Sequence, residues 1–238
     1  LFGAGVVRAD EVDDLLALRA KHQQRVKHFA AEFRVETTQP KTVKNPKTVT
    51  LRYKLVLDKL PAAAVQHAHQ PWRMEAEVLE PHAMRLKVEG EQAWFLDQRG
   101  QWIELKLTPE LKNQFFGMSE RFMGASPSEQ RKHFSVRVLR HNAPLFTPRT
   151  TTVEFVPNGA SKLMPRREED LDGDGFPLAT RLFDEAGKET VAIRVTKHRK
   201  VSGVPVMEAT ETVSRTPAGK VTSRTTCANI QVECEGGE

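Results

Sequence analysis

Apolar and polar residues alternate through most of this chain, and a period of two is the mark of a strand with one face in water. TVTLRYKLVLD (48–58) sets Val49, Leu51, Tyr53, Leu55 and Leu57 against Thr50, Arg52 and Lys54. PWRMEAEVLE (71–80) places Trp72, Met74, Ala76 and Val78 on one side and Arg73, Glu75 and Glu77 on the other. MRLKVEG (84–90) repeats the device with Met84, Leu86 and Val88, and QAWFLD and QWIELKL follow around a turn at Gln98–Gly100. Further strands are predicted in HFSVRVL, RTTTVEFVP, a stretch near 161–169, PLATRLFD, TVAIRVTKHRKV, VPVMEATETVS and KVTSRTTCANIQVE. Asn158-Gly159, Gly173–Gly175, Ala186-Gly187, Ser202-Gly203 and Ala218-Gly219 punctuate them as turns.

Two stretches depart from this period. In 10–36, Val12, Leu15, Leu16, Val26, Phe29, Ala30 and Phe33 recur at three- and four-residue steps, which predicts one long amphipathic helix. Asp10, Glu11, Asp13 and Asp14 fall in its first turn, where the helix dipole favours negative charge. TPELKNQFFGMSERFMG (108–124) opens with Thr108 as a cap and Pro109 at the first helical position. Its Leu111, Phe115, Phe116, Met118, Phe122 and Met123 make an oily second helix. Successive strands with short links indicate an antiparallel meander, not βαβ units. The expected fold is therefore mainly β with helices (α+β). It is an unclosed antiparallel barrel, or strongly curved sheet, of about eleven strands, with the N-terminal helix and the inserted helix covering its open side.

Composition sharpens this picture. The chain has 238 residues, 39% of them hydrophobic and 28% charged, which is the range of a water-soluble globular protein. Net charge is +5 with both signs interspersed, and there is no arginine-rich run, basic helix or glycine-aromatic RNA motif. Nucleic acid is thus not an expected partner. LFGAGVV (1–7) followed by Val7-Arg8-Ala9 reads as the end of a secretory signal peptide cut after Ala9, the other reading being an ordinary frayed terminus. On the first reading 1–9 is a remnant and 10–238 is a single exported domain that carries no lipid.

Candidate chemistry is sparse. GxSxG, HExxH, P-loop and dinucleotide motifs are absent, so no enzyme class is indicated. His67 and His69 flank Ala68 in a loop-like stretch and form a weak candidate metal pair. Cys227 and Cys234 invite a disulfide in an exported protein. On a straight strand, though, residues seven apart face opposite sides about 23 Å apart, so pairing stays open. DLDGDGFP (170–177) is the sharpest motif: Asp170, Asp172 and Asp174 match the first ligand positions of a calcium loop. The twelfth position, which should be glutamate, is Arg181, and Pro177 blocks the usual helix. These aspartates are candidate ligands for a structural calcium ion in a compact turn. The competing reading is a hairpin loop whose Gly173 and Gly175 supply positive φ angles while the carboxylates are solvated.

The order of these segments resembles the LolA/LolB-like superfamily of outer-membrane lipoprotein-sorting proteins. HFAAEFRVE ends the first helix as in that family, and MRLKVEGEQAWFLDQRGQWIEL (84–105) resembles its central hairpin, with Gly90 at the turn and Trp94-Phe95 on the next strand. RLFDEAGKETVAIRVTKHRKVSGVPVMEATETV and the closing TTCANIQVE resemble its back half. The resemblance implies a soluble periplasmic carrier, not an enzyme, that takes acyl chains of lipoproteins or lipids into an apolar concave cavity. It also implies partner proteins in the inner and outer membranes, a monomeric state, and no required cofactor. Alternation nominates the lining: Leu51, Tyr53, Leu55, Trp72, Met74, Met84, Leu86 and Val88, with Phe115, Phe116 and Phe122 from the inserted helix. The bland alternative is that all of these are ordinary core. The functional alternative is a lipid- or lipoprotein-sensing module of the same fold that does not transport.

Overall fold

The computed structural model describes residues 9–40, 47–60, 72–89, 92–106, 127–142, 149–158 and 165–235. Helix α1 (Ala9–Gln24) comes first, then β1 (Val26–Thr38), β2 (Thr48–Lys59), β3 (Trp72–Glu80), β4 (Met84–Glu89), β5 (Gln92–Leu96) and β6 (Trp102–Leu105). A short helix α2 (Pro127–His133) precedes β7 (Phe134–Asn142), β8 (Thr150–Pro157), β9 (Arg166–Leu171), β10 (Pro177–Phe183), β11 (Glu189–Val201), β12 (Val204–Thr216) and β13 (Gly219–Cys234).

All thirteen strands form one sheet in the order β6-β5-β4-β3-β2-β1-β13-β12-β11-β10-β9-β8-β7. Among the described strands each pairs with its sequence neighbour, except that β1 joins β13 at the centre and β6 and β7 stand at the two ends of the order. The order is that of an up-and-down barrel opened between β6 and β7, which is the expected unclosed antiparallel sheet. Among the described residues there are thirteen strands rather than about eleven.

One of the added strands corrects the long helix expected over 10–36. The helix stops at Gln24, and the Phe29–Phe33 segment is central sheet. A bulge between Val26 and His28 explains the misreading. The extra residue sets Val26 and Phe29 three apart on one face, imitating a helical step, after which Phe29, Ala31 and Phe33 are buried at period two. The true helix keeps the stripe Val12, Leu16 and Ala20, all buried. The helix expected over 108–124 lies outside the described residues.

The sheet has an inner face, against which α1 packs, and an outer face of charges arranged by register. His28, Asp58, Arg73 and Glu89 stand opposite one another across β1–β4, and so do Glu32, Lys54, Glu77 and Arg85. His28–Asp58 at 2.6 Å and Arg73–Glu89 at 3.2 Å are direct pairs within these rows. Exposed pairs of this kind are worth only ~0–1 kcal/mol each. Their larger effect is on register, because a one-residue slip would turn every charge inward. Across β7–β10 the outer row holds Glu154, which is buried. Burial pushes its carboxyl up, but bonds from Arg137 and Arg166 outweigh this and hold it below the usual range.

Candidate functional site: an apolar inner face

The inner face of β1–β6 carries apolar side chains in cross-strand rows. One row runs Phe29, Leu57, Met74, Val88, Ala93 and Leu105. A second runs Ala31, Leu55, Ala76, Leu86, Phe95 and Ile103. The third runs Cys227, Phe33, Tyr53, Val78 and Met84. Cross-strand neighbours of this sort are the packing unit of a sheet. Phe33 and Tyr53 stack at 4.9 Å, with their rings within 11° of parallel.

Of the residues nominated from alternation, Leu51, Tyr53, Leu55, Trp72, Met74, Met84, Leu86 and Val88 lie on this face. Leu55, Trp72, Met74 and Val88 are buried, while Leu51, Tyr53 and Leu86 are half-buried. The rows differ in how they end. The first stays buried as far as Ala93, whereas the second rises from 2% exposure at Leu55 to 42% at Ile103. The third ends on Met84, 48% exposed. Phe115, Phe116 and Phe122 lie outside the described residues, as do His67 and His69.

The other half of the inner face is sealed. Val12 and Leu16 of α1 pack with Phe134, Val136, Val153, Phe155 and Leu171 of β7–β9. Arg19 donates to Glu169 at 2.8 Å, and both side chains are under a tenth exposed. A void of about 30 Å³ lies where the two halves meet, between Val26, Phe29, Phe176, Val204, Val206 and Val232. That is room for a water or two, not for a chain.

The DLDGDGFP loop belongs to the sealed half. Its three carboxylates, candidate ligands of one ion, each engage partners of their own. Asp170 binds the guanidinium of Arg181 through both oxygens and accepts from Thr152. Asp172 accepts from the backbone amides of Asp174 and Phe176, which closes the turn. Asp174 pairs with Lys200 at 2.8 Å, and this bond holds its carboxyl below the usual range. Among the described residues no group of three or more His, Cys, Asp or Glu side chains is placed to hold a metal ion. Gly175, at φ +76°, touches α1: a Cβ there would come within 2.2 Å of the Leu15 carbonyl oxygen. Glycine is needed twice over, for the backbone angle and for the close approach.

The cysteines are both free. They do not face opposite sides, because a second irregularity around Asn229 (φ 53°) adds a residue to β13. Both therefore pack against the inner core. Burial pushes the Cys227 thiol up to about 12, with Glu208 adding to the shift. Burial likewise pushes the Tyr53 hydroxyl up to about 12.

No known sequence family and no curated protein matches the chain. Solved structures do match at the level of fold. A DUF1329-family protein from Desulfovibrio piger superposes with a TM-score of 0.67 at 9% identity, covering 96% of this chain and 94% of that one. A putative outer membrane lipoprotein-sorting protein domain from Vibrio parahaemolyticus gives 0.63 at 11% identity, over 97% and 95% of the two chains. A LolA-superfamily protein from Nitrosomonas europaea gives 0.61 at 12%, over 96% and 94%. The chain thus has the LolA-like fold.

Proposed function

We propose that the protein is a non-enzymatic carrier of the periplasm that binds acyl chains of lipoproteins or lipids on the inner face of β1–β6. The observation that carries this reading is the set of apolar rows that pass from buried at β1 and β2 to exposed at Met84 and Ile103. A chain laid along such a row exchanges water for side chains without breaking a backbone hydrogen bond. A hydrocarbon tail that buries roughly 300 Å² gains ~7 kcal/mol, enough to hold it without any reactive group. Met74 and Met84 suit the purpose, because thioether side chains adapt to flexible ligands. The lipoprotein-sorting and LolA-superfamily structures of the same fold support the reading. Among the described residues no helix is long and apolar enough to cross a membrane.

The test is mass spectrometry of protein purified from its native envelope, with uptake of a fluorescent fatty acid measured alongside. Co-purified acylated peptide or lipid is expected. Protein that carries none and also fails to take up the probe would remove the proposal.

A further inference from the structure

The third apolar row does not end at Cys227. The pairing of Ala209 with Thr226 brings Glu208 beside Cys227 at the next step, and Val204, Val206 and Glu208 alternate on the inner face of β12. Charge on the inner face is otherwise confined, among the described strand interiors, to the cluster that α1 seals. Glu208 is covered by two cations from β11. Lys197 Nζ lies 2.9 Å from one carboxylate oxygen, and Arg199 Nε lies 2.6 Å from the other. The exposures run opposite to the usual picture of a salt bridge lying flat. Glu208 is 14% exposed, while Arg199 is 54% and Lys197 70% exposed. The acceptor lies underneath and the donors lie on top. Each cation uses part of its donor set on Glu208 and presents the rest to solvent. A molecule on the inner face meets two positive charges with one negative charge beneath them.

From this geometry we propose that Lys197 and Arg199 are the head-group site for an anionic amphiphile, whose phosphate or carboxylate rests on the two cations while its acyl chain follows the row from Cys227 to Met84. The inference rests on the proposed carrier function and narrows its ligand class. The row from Cys227 on β13 to Met84 on β4 crosses four strand spacings, about 19 Å at ~4.8 Å each, the scale of an extended long acyl chain. Nothing along it competes for the anion. Cys227 and Tyr53 keep their protons at neutral pH, and Phe33, Val78 and Met84 are apolar. Hydrogen bonds to charged groups are the strong ones, and Arg and Lys are the usual partners of phosphate and carboxylate. Because the cations are exposed, their pull on an anion weakens as salt rises.

The experiment is calorimetric titration with dodecyl phosphate, with the neutral dodecanol of the same chain length, and with inorganic phosphate. The wild-type protein is expected to bind dodecyl phosphate about tenfold tighter than dodecanol, the worth of one good charged hydrogen bond. Lys197→Gln with Arg199→Gln should abolish that preference and leave dodecanol binding intact. If the pair cannot fold with Glu208 left alone, the triple variant that adds Glu208→Gln removes the stranded charge. Glu208→Gln by itself should raise affinity for dodecyl phosphate severalfold by releasing both cations, an effect that a purely structural bridge would not produce. Equal binding of the two dodecyl probes, or a preference that survives the double and triple variants, overturns the inference while the carrier reading stands. Failure of either chain to bind overturns the carrier reading itself, and the head-group site with it. Inorganic phosphate that binds as tightly as dodecyl phosphate would mark a site for free anions and would also overturn the inference.

Discussion

The inner face carries the same small device twice, a glutamate held by two cations, and the two copies have opposite surroundings. At Glu169 the partners are Arg19, at 2.8 Å, and Arg167, at 3.2 Å, and α1 lies over the group so that none of the three is more than a fifth exposed. At Glu208 no described helix lies across the group, and the cations stand in solvent. The difference extends to the regions around them. The β7–β9 half is filled by α1 and by the rings of Phe134 and Phe155, which meet edge to face at 6.0 Å. The β1–β6 half ends two of its rows on exposed side chains, Met84 and Ile103. Similar chemistry serves docking where it is covered and can serve recognition where it is open. Burial, not residue type, decides between the two.

The largest effect should come from the sealed half. Phe155→Ala is expected to cost about 3–5 kcal/mol in urea unfolding, since Phe155 is fully buried. Met84→Asp, on an exposed row end, should change stability by roughly 0.5 kcal/mol or less and weaken fatty-acid uptake instead. Equal stability losses at the two positions would erase the distinction between the halves.

Next in size is the pair of charge deletions. Arg19→Met removes one of the two cations from a buried carboxylate, and a loss of about 3 kcal/mol, the low end for breaking a buried pair, is expected because Arg167 remains beside Glu169. Arg199→Met should leave the melting temperature nearly unchanged. A large drop there would mean that the open group is structural after all.

Gly175→Ala tests how closely the acidic turn and α1 are joined. The positive φ and the 2.2 Å approach to Leu15 should together cost about 2 kcal/mol. Thermal melting measures it, and a neutral result would show that α1 can step away from the loop without penalty.

The last effect shows only at alkaline pH. Cys227 has its folded pKa raised from 9.0 to about 12, so above pH 9 the unfolded chain gives up a proton that the folded chain keeps. Its contribution to stability is therefore full below pH 9 and is lost as pH rises towards 12. Tyr53, raised from 10.0 to about 12, adds to the same slope. Cys227→Ala should flatten the fall of melting temperature between pH 9 and pH 11. An unchanged slope would show that the thiol is not sheltered.

Much of this organisation can be read in the chain, because a two-residue period leaves a direct trace. The strands from 48–58 onward lie where alternation puts them, and the apolar side of most of them is the inner side. Misreadings arise where a bulge breaks the period. An extra residue after Val26 made β1 resemble helix, and another near Asn229 turned Cys227 and Cys234 to one face. A bulge changes parity without changing composition, so a search for regular spacing passes over it. The Lys197, Arg199 and Glu208 group was missed for a different reason. Its members sit on two strands, and KHRK (197–200) reads as one basic run although Lys197 and Arg199 share the inner face and Lys200 pairs with Asp174. The three aspartates of 170–174 were conspicuous as a motif, yet their partners, Arg181, Thr152 and Lys200, come from three other strands.

The sequence by itself determined the class of fold, the apolar side of most strands and the absence of recognisable catalytic motifs, because each follows from local pattern. Only the tertiary structure decided that the first and last strands meet at the centre, that α1 seals one half, and which charged groups are covered. Those outcomes depend on contacts between residues more than a hundred positions apart, such as Arg19 with Glu169 and Phe33 with Cys227. No local period encodes such pairings, and the burial that separates a clasp from a binding surface exists only once they have formed.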